Sequence, residues 1–104
     1  MLITEPKALS AYSSTKRLWQ GIPGLEVTPG GRQFVAFYSG GSRECIGNYV
    51  VLLCAEADGA FGECAVVLPD AGHRCFDPCL WIDPQGRLWL FWADVPDYVT
   101  RAVR

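Results

Sequence analysis

The sequence lacks a charge excess of either sign: nine Lys and Arg stand against eleven Asp and Glu, a formal net charge of -2 over 104 residues. The basic residues are spread along the chain and provide no electrostatic footprint for a nucleic acid or an anionic membrane. Long apolar runs are missing as well. The longest, Tyr49 to Ala55, falls far short of the ~20 residues that span a bilayer. The opening "MLITEPKALSAYSS" carries an acidic residue and a proline and no continuous apolar stretch, so it does not read as a secretion signal. A soluble, cytoplasmic protein is the expectation, with neither nucleic acid nor membrane as partner. The cysteines, at positions 45, 54, 64, 75 and 79, are odd in number. Without a secretion signal they read as reduced, partly buried thiols rather than a disulfide framework.

What the chain does have is apolar residues, half of its total, enough for the core of one small domain. It also has an internal likeness. A shift of 55 places Pro23 on Pro78, Leu25 on Leu80, Pro29 on Pro84, Gly31 on Gly86 and Arg32 on Arg87. Chance matching over such a window gives roughly one identity. Apolar positions correspond too: Val27 with Ile82, Phe34 with Trp89, Phe37 with Trp92. In each copy a short apolar segment meets a Pro-x-Gly-Arg turn and returns through an aromatic and aliphatic run, which is the pattern of a β-hairpin. The glycine supplies positive φ and the proline pre-sets the turn.

The returning runs "FVAFY" and "LWLFW", and "YVVLLCA" after the first copy, are apolar almost without alternation, so strands made of them must be covered on both faces. Asn48 to Ala55 and Cys64 to Leu68 are two further strand candidates between the copies. Each unit is then an antiparallel four-stranded sheet, and stacked units bury one another's faces. The fold expected is all-β, built of four-stranded blades of a β-propeller. A small two-sheet sandwich is the alternative that strands at this spacing permit. The units divide the chain into an N-terminal segment (1–17), a first blade (18–72) and an incomplete second blade (73–104).

"LWQGIPGLEVTPGGRQFVAFYSGG", "AEADGAFGE" and "FDPCLWIDPQGRLWLFWAD" together resemble the first blade and a half of the sialidase superfamily, whose BNR (Asp-box) repeats build a six-bladed propeller. The resemblance runs from Arg17 to Asp94. The Asp-box is only echoed: Ala55 stands in place of its serine, while Asp58-Gly59 and Phe61 remain. It implies an exo-acting glycoside hydrolase with a carbohydrate substrate and no cofactor, of which this chain is an N-terminal part, inactive by itself. The other class of function consistent with the pattern is a non-catalytic propeller module that binds carbohydrate or protein.

The resemblance also assigns residues. The family's carboxylate-binding arginine falls in Gln20-Gly21-Ile22-Pro23, where Gly21 replaces it and offers no cationic fork. Its general acid/base falls nearest Glu44, a carboxyl able to protonate a leaving glycosidic oxygen if partly desolvated. The plainer reading makes Glu44 a solvated loop carboxylate beside Arg43. Arg43, Arg74, Asp77, Trp19 and Gln20 are the remaining candidates for sugar contact. The family's nucleophilic tyrosine and its partner glutamate belong to later blades, so this chain carries at most one member of the pair a glycosidase needs.

His73, Cys75, Asp77 and Cys79 alternate and are zinc-ligand types, but neighbours on one strand lie ~7 Å apart in a line and cannot close on one tetrahedral ion. No metal is expected. The reading preferred is a loop entering the second unit, with Asp77 capping backbone amides or lining the propeller mouth and Cys79 buried. Trp81, Trp89 and Trp92 read as core residues, and Trp19, beside a polar loop, as the one tryptophan placed to stack on a sugar. The closing "VPDYVTRAVR" lacks the turn and third strand that the repeat demands. Leu88 to Trp92 is therefore expected to be an unpaired apolar edge through which the isolated chain self-associates.

Overall fold

The computed structural model of the chain describes residues 1–55 and 58–96. Residues 56–57, inside the stretch read from sequence as an Asp-box echo, and residues 97–104 lie outside the described residues. The fold is all-β and antiparallel. After β1 (Leu2–Ile3) and a one-turn helix α1 (Pro6–Leu9), the chain runs through β2 (Gln20–Val27), β3 (Gln33–Ser39), β4 (Tyr49–Ala55), β5 (Phe61–Val67), β6 (His73–Ile82) and β7 (Leu88–Pro96). The first five strands form one sheet in the order β1-β5-β4-β3-β2, and β6-β7 is a separate hairpin. No described helix is long and apolar enough to cross a membrane.

The centre of the large sheet is apolar on both faces, and both are covered. On one face Phe37, Val51 and Val66 pack with Leu9 of α1, with Ile3 and Tyr12 beside them. On the other, Tyr38, Val50 and Val67 pack with Cys75 of β6, joined by Trp19, Phe76 and Leu90. Adjacent residues of each strand thus feed opposite cores, as a two-residue period requires. Each fully buried Val or Phe contributes ~1.5–3 kcal/mol, so neither cover can leave without a large loss. The N-terminal segment is part of this arrangement: β1 pairs with β5, and the Glu5 carboxylate caps α1 by accepting from the Ala8 amide at 2.9 Å. The Arg17 side chain is only 6 % exposed and holds Glu63 of β5 at 2.9 Å. It also donates to the Tyr12 carbonyl at 2.6 Å and lies over the Phe37 ring.

The two hairpins are the same object. Gln20↔Ser39, Gly21↔Tyr38, Gly24↔Ala36, Leu25↔Val35, Glu26↔Phe34 and Val27↔Gln33 in the first become, 55 residues on, Cys75↔Asp94, Phe76↔Ala93, Cys79↔Phe91, Leu80↔Leu90, Trp81↔Trp89 and Ile82↔Leu88 in the second. Their turns carry the same two backbone bonds: Thr28 N to Arg32 O (2.8 Å) with Gly31 N to Thr28 O (2.8 Å), and Asp83 N to Arg87 O (3.0 Å) with Gly86 N to Asp83 O (2.9 Å). Gly31 and Gly86 sit at φ 92° and 83°. The Arg32 and Arg87 guanidiniums each lie 5.5 Å over the ring two residues on, Phe34 and Trp89. Each hairpin also has one bulge, between Gly21 and Gly24 and between Phe76 and Cys79. At each bulge the residue before the proline takes positive φ, Ile22 at 50° and Asp77 at 48°.

Two expectations change here. Cys79 is exposed, because the bulge at Asp77-Pro78 resets the alternation and turns it off the packed face. Trp81, Trp89 and Trp92 are each 40–49 % exposed rather than core. Among the described residues the hairpin β6-β7 is covered on one face only, by β2, β3 and β4, against which β6 lies, and its aromatic residues are not enclosed.

Asp83 organises the second turn. It accepts from the Trp89 indole N–H (2.8 Å), from the amides of Gln85 and Arg87 (2.9 Å each) and from Arg87 Nε (2.6 Å). These donors, the Trp89 indole first, lower its pKa to about 2 from 3.8. A lowered carboxyl pKa stabilises the fold above the unfolded value and loses that contribution as the native carboxylate protonates. Thermal unfolding midpoints of the native chain should therefore fall between about pH 4 and pH 2, and Asp83→Asn should abolish most of that slope. At the first bulge, Ile22→Gly removes a β-branched side chain from positive φ and should stabilise the chain by about 1 kcal/mol, read as a higher urea midpoint at unchanged slope.

Candidate functional site

The second core ends in a polar cluster. Tyr38, buried on β3, reaches past its packing partners with its hydroxyl and donates to Glu44 Oε1 in the β3–β4 loop. Its ring meets Trp19 edge-on at 5.3 Å and Phe76 at 6.4 Å. The Arg74 guanidinium lies 4.3 Å over the Phe76 ring. Burial pushes the Tyr38 phenol up to about 12 from 10, aided by the hydrogen bond and negative charge of Glu44 and by the charge of Asp77, with Arg74 acting in the opposite sense. One buried tyrosine thus holds Glu44, Trp19 and Phe76, with Arg74 over the Phe76 ring.

The loop that carries Glu44 is tightly fixed. Asn48, wholly buried, donates from Nδ2 to the carbonyls of Gly40 (2.7 Å) and Arg43 (3.1 Å) and accepts from the Cys45 amide (2.7 Å). Loop and second hairpin are stitched together by Gly47 N to His73 O and Cys75 N to Asn48 O, each 2.9 Å. Gly40, at φ 108°, could not carry a side chain: a Cβ there would lie 2.9 Å from the Tyr49 ring. The loop thus presents Glu44 from a rigid frame, which favours a defined contact over an adaptable one.

Of the residues singled out from sequence, Glu44 and Trp19 contact Tyr38 and Arg74 lies over the adjoining Phe76 ring; Asp77 acts on Tyr38 through its charge alone, and Gln20 and Arg43 do not share these contacts. Gln20 accepts from Arg17 Nε at 3.3 Å, on the side of the sheet that the N-terminal segment covers. Arg43 is exposed and forms no ion pair with Glu44, whose partner is Tyr38 instead. Trp19 donates its indole N–H to the Gly40 carbonyl at 3.1 Å, so its polar edge is committed to the loop. Asp77 is exposed and caps no backbone amide among the described residues. The Arg74 Nε is buried without a hydrogen-bond partner among them. A donor in that position is costly to leave unmet, and the Phe76 ring face compensates it in part.

Within "FVAFY" Tyr38 reads as one more strand residue, and only the register with Gly21, which has no side chain to oppose it, shows that its ring is left to Trp19 and Phe76. The four alternating residues of 73–79 are drawn apart. His73 Nδ1 pairs with Asp94 at 2.8 Å, Cys75 is buried with its thiol pushed up to about 11 by desolvation first and by Asp94 second, and Cys79 faces outward. No cluster of three metal-ligand side chains forms among the described residues. A groove of about 360 Å³, lined by Thr4, Pro6, Leu9, Ser10, Glu63 and Cys64, lies on the opposite face, away from the Tyr38 cluster. No family model, curated protein or solved structure matches the chain.

A raised phenol pKa stabilises the fold below the unfolded value of about 10 and loses that contribution as pH climbs to the native value. Spectrophotometric titration of the native chain should show Tyr38 ionising near pH 12, with stability declining from about pH 10 upward. Tyr38→Phe should remove that late step and cost ~1 kcal/mol for the lost bond.

Proposed function

We propose that the chain is the N-terminal, sugar-facing part of a sialidase-like β-propeller glycoside hydrolase, with Glu44, Arg74 and Asp77 contacting the carbohydrate. The observation that carries this reading is Tyr38, whose hydroxyl bonds Glu44, whose ring meets Trp19 and Phe76, and beside which Arg74 lies over the Phe76 ring. Their supports are two hairpins of identical register, with β6 lying against β2 as the inner strands of neighbouring blades do. Sugars present vicinal hydroxyls over an apolar ring face, and carboxylate and guanidinium groups beside aromatic rings suit both. In this reading Glu44 serves as the proton-exchanging carboxyl at a glycosidic oxygen, and Asp77 and Arg74 bind hydroxyls. Hydrolysis needs a second group flanking the bond, which the resemblance assigns to later blades, so the 104-residue chain binds without turnover. The protein is a cytoplasmic one in this reading.

One feature favours a non-catalytic carbohydrate-binding module instead. The Tyr38 phenol stays protonated far above neutral pH and permanently donates to Glu44, which suits a carboxylate that accepts hydroxyl hydrogens more than one that gives up a proton.

Titration of the labelled chain with a panel of neutral and acidic monosaccharides, followed by amide chemical shifts, tests the site. Shifts should concentrate at Tyr38, Glu44, Arg74 and Asp77, and Glu44→Gln should weaken binding about tenfold, the equivalent of one charged hydrogen bond. Perturbations scattered elsewhere, or none, would remove the sugar reading. In a protein that contains the remaining blades, Glu44→Gln should depress turnover of a natural glycoside far more than binding if Glu44 is the proton donor; equal turnover leaves the binding module.

A further inference from the structure

The strand edges of this molecule are unequal. β1 is two residues long. The outer edge of β2 is broken by Pro23 and by the bulge at Ile22, and β6 is interrupted in the same way by Pro78 and Asp77. Such short, kinked and proline-bearing edges resist pairing with another chain. β7 has none of these features over Leu88–Val95. Its neighbour on one side is β6, and among the described residues nothing pairs with the other side. The equivalent edge of β3, its repeat counterpart, is paired with β4 over six residue pairs from Phe34↔Cys54 to Ser39↔Tyr49.

The side chains of this edge are apolar on both faces. Trp89 is 42 % exposed, Phe91 49 % and Trp92 40 %, with Trp81 at 49 % on the neighbouring strand. The Trp89 and Phe91 rings stack within 9° of parallel at 6.1 Å. On β7 itself Trp89, Phe91 and Trp92 leave ~300 Å² exposed per copy, or ~600 Å² in a two-fold pair, to which the paired backbones and the near edge of Trp81 add toward the ~1,200 Å² at which stable interfaces begin.

We propose that the 104-residue chain forms a two-fold dimer in which β7 pairs antiparallel with β7 of a second copy. The second copy is the occupant because β7 is itself the one long, unbroken, doubly apolar edge among the described residues, and a two-fold axis makes such an edge its own complement. The interface continues the β6-β7 ladder into a four-stranded sheet, β6-β7-β7-β6, giving the second hairpin the strand number of the β2–β5 meander. A register centred on Leu90 sets Trp89 opposite Phe91 of the other copy on one face and Leu88 opposite Trp92 on the other. Cross-strand aromatic pairs of this kind stabilise a sheet by 0.2–1 kcal/mol each, as an order of magnitude. The dimer does not depend on the sugar reading.

Sedimentation equilibrium of the full chain at ~50 µM should give twice the monomer mass, with alternate β7 amides protected from hydrogen exchange in a concentration-dependent manner. Phe91→Lys changes an exposed residue and should return a folded monomer, with circular dichroism and the unfolding midpoint at low concentration preserved. Leu25→Lys, on the exposed β2 edge, should leave the dimer intact. A wild-type monomer, a dimer whose β7 amides exchange freely, an open-ended polymer, or a dimer that survives Phe91→Lys would each overturn the proposal. Should Phe91→Lys unfold the chain, the concentration dependence of β7 amide exchange in the wild type decides alone.

Discussion

The structure depends on one constraint: the strands at the centre of the large sheet are apolar on both faces, so the sheet cannot stand with either face in water. Val50 and Val51 are adjacent in β4, Val66 and Val67 in β5, Phe37 and Tyr38 in β3, and all six are buried in opposite directions. One face takes the N-terminal segment through Leu9, Ile3 and Tyr12, and the other takes β6-β7 through Cys75, Phe76 and Leu90. The seating of the second hairpin, and with it the placement of Arg74 and Asp77 beside Tyr38, follows from covering that second face.

The repeat makes this seating specific. A hairpin with a bulge at the residue pair preceding Gly24 or Cys79 bends at a fixed point, and the Ile22-Pro23 and Asp77-Pro78 steps put that point at the same register in both copies. Only one of the two bulges bears a polar side chain. The Ile22 position, held in an unfavourable conformation without a polar role, is a fold element, whereas Asp77 combines the same backbone with an exposed carboxylate. The turns differ likewise: Thr28 Oγ1 accepts the Arg32 amide at 2.9 Å, and its counterpart Asp83 adds charge and two side-chain donors to that bond. A single geometry is thus kept by different chemistry in the two places.

Two arginines show how charge is handled on the two sides of the sheet. Arg17 is buried beneath the N-terminal segment with a carbonyl, an amide oxygen and the Glu63 carboxylate as acceptors, so its cation is fully compensated and its work is structural. Arg74 has a ring face and an unmet Nε. Its Nε is hydrogen-bonding capacity that the described residues leave unused. The contrast separates a cation that fastens the fold from one that the fold leaves available.

The sequence alone determined the hairpins. Pro, Gly and Arg at a 55-residue spacing encode turn geometry locally, and each strand candidate between Leu25 and Trp92 lies on or within one residue of an observed strand. Local signals fix local structure because φ preferences and side-chain alternation act over two to four residues. The same signals misplaced Cys79 and the three tryptophans of the second hairpin, because a bulge shifts the face of every residue beyond it and because an apolar strand is core only if something covers it. What only the tertiary structure decided is which residues meet: that Glu44 bonds Tyr38 and not Arg43, that Gln20 belongs to Arg17, and that residues 1–17 close one face of the sheet. Those contacts join positions far apart in the chain, and they are chosen by which surfaces must be buried together, a condition that no segment of the sequence expresses by itself.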